Sequence, residues 1–390
     1  MVPGGTVPGP NVEALFASNG GFASCRLESF RLARGDRLHV GRISALLAAV
    51  TWFPLLVLAA LQGVAWGTAV QVPFLRDFLP YGQLLIAVPV LVFGELVVRR
   101  YLIAAVTELR TSPVLAPDDA PKLDALLERT GKLWCGRDIN LMLAVVTCSA
   151  TLVSVWGARD WLTGGWQVAG SGMTLAGWWY LLISLPVMRF LALRWLWRIV
   201  VWAWFLWRVA GLDLHPRPTH PDRAGGLAFL GGTQAVFSVF FFAFGIQLSC
   251  LVADRITFQG ADLMAFRGQL AVFVGVAVGT LMIPLSVFAP QLLRARQDEL
   301  LFMSGTGFRG GIDLKQKLAM DGAVALPTDA VSGLTDFGSL YENVRLMRPI
   351  PVELQHVVAI VLAAVLPFLP LIFLVVPAQQ VLSTLAKLLI

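Results

Sequence analysis

The sequence predicts an all-α polytopic membrane protein of about seven transmembrane helices, N-terminus cytoplasmic and C-terminus outside, and three observations carry that expectation. Of the 390 residues, 57% are hydrophobic and 14% charged, and the mean hydropathy is +0.73; too little polar surface remains to coat a water-soluble fold. Seven stretches, 43–69, 80–106, 138–158, 172–193, 225–253, 268–293 and 352–377, are apolar over the roughly 20 residues a helix needs to cross about 30 Å of hydrocarbon. Finally, 25 of the 30 Lys and Arg fall in 1–42, 99–137, 189–223 and 294–348, and 5 in the intervening segments. The positive-inside tendency puts the crowded side in the cytoplasm, which accounts for the net charge of +6 without a nucleic-acid partner.

Four segments follow. Residues 1–42 read as a cytoplasmic, partly disordered segment; it lacks the apolar core and cleavage site of a secretory signal, so it is expected to be retained. Residues 43–293 hold six spans with cytoplasmic helical extensions at 99–137 and 194–224, 294–351 form a cytoplasmic insert, and 352–390 hold a kinked last span and a tail. The fourth and sixth spans run on without a breaker to about Ala210 and Phe302, as long helices extending into a cytoplasmic collar. Residues 118–133 form an amphipathic helix with Leu123, Leu126 and Leu127 on one face, and 330–349 read as another. Cys25, Cys135, Cys148 and Cys250 include no CxxC pair and are expected as free thiols. No internal repeat stands out, and an odd number of spans disfavours an inverted duplication.

Charges near hydrocarbon are the first candidate functional groups. Glu95 is the deepest acid of the second span, and Arg99, one helical turn on, is placed to neutralise it. The fourth helix interleaves Arg189, Arg194, Arg198 and Arg208 with Trp195, Trp197, Trp202, Trp204 and Trp207. Either this is an interfacial girdle, or Arg189, Arg194, Arg198 and Arg223 form a vestibule that collects anions, anionic lipid or a partner. In the polar stretch that follows, Asp213, His215, His220 and Asp222 could ligate a divalent ion. The alternative is that Asp222 caps the fifth helix, Arg223 pairs with a carboxylate, and Gly225 and Gly226 permit a close crossing. Arg137–Asp138 and Asp254–Arg255 read as span boundaries.

Backbone breakers are the second signal. Pro367 and Pro370 kink the last span, Pro284 the sixth, and Pro377 follows near the outer end. Gly275 and Gly279 offer a GxxxG face. Gln247 and the kinked last helix join Glu95 and Arg99 as candidates for a pathway. The glycine-rich Ser304–Gly311 lacks the Lys-Ser/Thr of a phosphate-binding loop and reads as a flexible turn.

Without a Ser/His/Asp order, HExxH motif or paired carboxylates, an enzyme is not expected, and no cofactor is implied. The expectation is a channel or facilitative transporter for a small ion or solute, homo-oligomeric, in the bacterial cytoplasmic (inner) membrane. The alternative is a membrane-embedded scaffold or signalling protein whose collar binds a soluble partner. In outline the layout is similar to the tetrameric chemoreceptor channels of insects; the resemblance lies in layout alone, implies an oligomeric channel, and carries no residue across.

Overall fold

The computed structural model describes residues 38–157, 165–169, 172–321 and 328–375, so Cys25, Pro377, most of the N-terminal segment and the tail lie outside the described residues. Seven helices in it are long and apolar enough to cross a membrane. The principal helices, in chain order, are α1 (Leu38–Leu61), α2 (Phe78–Thr111), α3 (Ala120–Cys135), α4 (Arg137–Trp156), α5 (Leu175–Val209), α6 (Phe229–Gln259), α7 (Arg267–Met282), α8 (Ala289–Asp321), α9 (Thr328–Arg345) and α10 (Leu354–Leu374). A hairpin of two-residue strands, β1 (Val168–Ala169) and β2 (Gly172–Met173), sits between α4 and α5. The α1–α2, α4–α5 and α6–α7 connections share the short-loop end of the bundle; the α2–α3, α5–α6 and α9–α10 connections share the basic end.

Each break in a helix has a local cause. Pro54 in α1 cannot donate to the carbonyl one turn back, and the Val50 carbonyl accepts from Trp179 Nε1 at 3.3 Å instead, while the Thr51 carbonyl accepts from Ser184 Oγ at 2.6 Å. Pro284 is the second residue of a 3₁₀ stretch, Ile283–Phe288, that separates α7 from α8; Pro367 sits in a similar turn, Leu366–Phe368, within α10. The expected amphipathic helix is α3, with Leu123 and Leu127 buried.

Three expectations need correction. Ser304–Gly311 is no turn, because α8 runs through it as continuous helix. Glycine weakens a helix interior by roughly 1 kcal/mol, but here it allows contact: a Cβ on Gly307 would lie 3.1 Å from the Phe337 ring of α9. Second, the Gly275–Gly279 face makes no close crossing within the chain, since a Cβ on Gly275 would meet nothing within 4 Å.

The third correction concerns repeats, because the hairpins α1–α2 and α4–α5 share one register. Gly41, Arg42, Ile43, Leu47, Ala48, Val50 and Thr51 match Gly136, Arg137, Ile139, Leu143, Ala144, Val146 and Thr147, with one extra residue at Asp138; further on, LLIAVPV at 84–90 matches LLISLPV at 181–187. Both copies widen into a π-helical turn ahead of the proline, Tyr81–Ala87 and Tyr180–Ser184. The proline rings of Pro89 and Pro186 crowd the carbonyls of Leu85 and Leu182 one turn back. In both, the amide before the proline reaches five residues back: Val88 N–H to the Gln83 carbonyl, Leu185 N–H to the Tyr180 carbonyl.

Equivalent positions of the two copies touch each other. Gln83 corresponds to Tyr180, whose hydroxyl donates to Gln83 Oε1 at 3.0 Å. At the basic end the segments that follow the two hairpins meet: Leu115 and Leu214 form an antiparallel bridge, with Ala116 N–H to the Asp213 carbonyl at 3.2 Å and His215 N–H to the Val114 carbonyl at 2.7 Å. Both hairpins begin and finish at the basic end, so the two copies run in the same direction and meet along α2 and α5. This is a parallel duplication, which the odd helix count does not argue against. Signal was lost because apolar spans share composition anyway, and the register shows only when the matching π turns are aligned.

Tyr180→Phe should strip the buried Gln83 carbonyl of its donor and cost about 1–3 kcal/mol. Thermal unfolding of the purified protein checks this; an unchanged midpoint would mean that the contact does not hold the copies together.

Candidate functional site

Between α2 and α5 lies a buried cluster of ions. Glu95 does not pair with Arg99 as the spacing suggests: its Oε1 accepts from Arg194 Nη2 at 2.9 Å and from Arg198 Nη2 at 2.5 Å. Arg194 and Arg198 are one turn apart, so both guanidiniums reach one carboxylate across the helix pair. Gly94 lets α6 close on this face of α2, since a Cβ there would lie 2.5 Å from Val239 and 3.2 Å from the Trp195 ring. Among the described residues Arg99 makes no ion pair, and its Nε is buried without an acceptor.

The vestibule expectation is overturned for the same reason. Arg194 and Arg198 are only 7% and 4% exposed, because α3 lies across this part of α5: Trp197 Nε1 donates to the Leu133 carbonyl at 2.9 Å, and the Trp134 ring covers the Arg198 guanidinium at 5.3 Å. Arg189 instead ties α5 to α4 through the Ala150 carbonyl at 3.1 Å. Arg223 is exposed in its loop; among the described residues it has no carboxylate partner, and its carbonyl accepts from Arg348 N–H at 2.8 Å. Farther along α5, Arg129 and Arg208 stand 5.6 and 5.7 Å from the Trp204 ring, beside a groove of about 560 Å³.

The His/Asp segment does not converge on a metal site. His220 Nδ1 lies 2.9 Å from Asp222 Oδ1, while His215 and Asp213 form a separate, exposed pair at 4.0 Å; among the described residues no three His, Cys, Asp or Glu are grouped to hold an ion. Asp222 does not cap α6, whose N-cap is Ala228 without a side-chain cap; it serves the backbone of the preceding turn instead. It accepts from the amides of Ala224, Gly226 and Ala228 at 2.9, 3.1 and 3.1 Å, ahead of α6. Those contacts hold a left-handed turn at Arg223, Gly225 and Gly226, with φ of 53°, 66° and 88°, where a Cβ on Gly225 would sit 2.8 Å from Pro216. The turn walls a cavity of about 680 Å³ whose polar lining includes Tyr101, Glu108, Arg217, His220 and Thr233.

Burial disfavours the Asp222 carboxylate, but its three backbone donors and His220 outweigh this and hold its pKa below the usual range.

The remaining pathway candidates lie elsewhere. Pro367 is buried on α6, with a Cβ on Gly245 only 3.0 Å from its ring; Pro370 is exposed, and Gln247 bonds back to the Ala243 carbonyl of its own helix at 3.5 Å. They therefore belong to the α6–α10 contact and do not join Glu95.

At the short-loop end is a pair of acids that the sequence reading missed. Asp77 accepts from Leu79 N–H at 2.9 Å and Trp166 Nε1 at 2.8 Å, and Asp254 accepts from Phe78 N–H at 2.9 Å. The two carboxyl groups lie near enough to perturb each other. Asp77 and Asp254 are 177 residues apart, and only the N-terminus of α2 brings them together. Burial pushes the Asp77 carboxyl up from its usual range, against the opposing pull of its donors.

No protein-family model matches the chain, and neither the curated proteins nor the solved structures yielded a match.

The two carboxyl sites should respond oppositely to pH. Asp222 is depressed in the folded state, so its stabilisation is complete above the unfolded value of about 3.9 and is lost as pH falls through the lower folded value. Asp222→Asn should lower the melting temperature at neutral pH and flatten that acid limb. Asp77 is raised, so its contribution is present below about 3.9 and lost as pH rises through the folded value. Asp77→Asn should remove that loss. Melting curves across pH check both, and parallel profiles for wild type and variant would contradict the assignment.

Proposed function

We propose that the chain is a channel or facilitative transporter for a small ion or solute. It lies in a bacterial cytoplasmic (inner) membrane, basic end in the cytoplasm and C-terminus outside, and carries out no catalytic step. The observation that carries this reading is the ion cluster of Glu95, Arg194 and Arg198, buried in two helices from equivalent arms of a parallel repeat. Ionised groups are expensive at such a place and mark substrate or ion routes, and repeats about an axis along the membrane normal recur in transporters. Support also comes from the π turns at matching positions of α2 and α5, which weaken both helices there. The exposed α7 face, where Gly268 and Gly275 have no neighbour within 4 Å, suits a homo-oligomer.

The scaffold reading rests on a different observation. Leu301, Phe302 and Phe308 of α8 are 75%, 69% and 72% exposed, beyond the last hydrophobic window of that helix, an apolar strip that a cytoplasmic protein partner would cover.

Conductance across a planar bilayer in asymmetric salt, with folded and inserted protein, separates the two. The transport reading expects openings with a non-zero reversal potential and a conductance changed at least several-fold by Glu95→Gln; a silent bilayer would favour the scaffold.

A further inference from the structure

The charges in the cluster do not balance. One carboxylate, Glu95, faces Arg194 and Arg198, and both guanidiniums use the same oxygen, Oε1. Arg99 adds a third positive charge acting on that carboxylate. The other titratable neighbour is the Cys135 thiol, which is not an anion partner. Arg198 is 4% exposed and its Nε has no acceptor, nor has the buried Nε of Arg99. The Trp134 ring offsets only part of this. An unbalanced guanidinium held away from water is among the costliest arrangements a fold can keep. The Glu95 side chain keeps 36% of its surface outside the protein's own packing, so protein closes the cluster on the arginine side and leaves it open on the carboxylate side.

We infer that the cluster is an anion site, completed by a small monovalent or divalent anion seated on Arg198 and Arg99 beside Glu95. This rests on the transport reading and names its substrate class. The carboxylate then acts as a counter-charge that keeps the anion from binding too tightly to leave, as conduction requires. A free inorganic anion and the phosphate of an anionic lipid share this chemistry.

The test uses the full chain in phosphatidylcholine nanodiscs. Its melting temperature is followed against sodium chloride, nitrate and inorganic phosphate, with sodium isethionate holding ionic strength constant. The site predicts saturable stabilisation by at least one small anion, weakened at least tenfold in Arg198→Gln and largely restored in Arg198→Lys. Glu95→Gln should bind severalfold more tightly, because it removes the competing negative charge; a purely structural ion pair would give no such gain. If Arg198→Gln does not fold, the sign of the Glu95→Gln effect decides. Phosphatidylglycerol nanodiscs distinguish the sources: loss of the soluble-anion effect there assigns the site to lipid phosphate, and persistence assigns it to free anion. No saturable effect in either lipid, or one unchanged in both variants, overturns the inference. Anion binding without flux would instead overturn the transport reading, and cation-selective flux without anion binding would spare that reading and remove this one.

Discussion

The architecture turns on a carboxylate held between two guanidiniums where water is scarce. Each partner is tolerable there only because of the others: deleting one side of a buried ion pair typically costs about 3–5 kcal/mol, through the charge left behind. The two guanidiniums bridge α5 to α2, Gly94 leaves room for Val239 and Trp195 beside them, and the α3 helix lies over Arg198. The pairing follows from the helix crossing, since the nearest basic residue in sequence, Arg99, is passed over.

Polar groups elsewhere are handled by the same economy of partners. The carbonyls freed by Pro54 are taken by Trp179 and Ser184 of α5, so a helix defect in one copy becomes a tie to the other. At the basic end one carboxylate, Asp222, satisfies three amides of a left-handed turn. At the short-loop end two carboxyl groups, Asp77 and Asp254, cap the start of α2. In each case the cost of unsatisfied backbone in an apolar setting selects the side chain.

Much of the fold was legible in the sequence, because span length and apolar content are set by bilayer thickness: all seven spans are found, and α5 ends within a residue of Ala210. The glycine-rich stretch misled because composition cannot show that Phe337 waits to pack on Gly307. The site was legible only in part. Glu95, Arg194 and Arg198 stand out as charges in apolar surroundings, but which of them meet depends on the crossing of helices about 100 residues apart. Asp77 and Asp254 were invisible for the same reason, each looking like an ordinary span boundary. Pro367 and Pro370 do break their helix, but a kink says nothing about which face it turns to the interior.

The duplicated hairpins also bear on how the charge cluster arose. A symmetric ancestor, assembled from two identical hairpins, would have carried every residue twice, once on each side of its axis. In the register of this chain the position of Glu95 is matched by Ala192, that of Arg194 by Val97, and that of Arg198 by Tyr101. Acid and base are thus divided between the copies, each standing opposite a residue of different chemistry. Such a division is open only to halves joined in one polypeptide, where each can mutate alone. Two identical hairpins would present each of these charges twice, so a single cluster of this kind depends on the halves having different sequences.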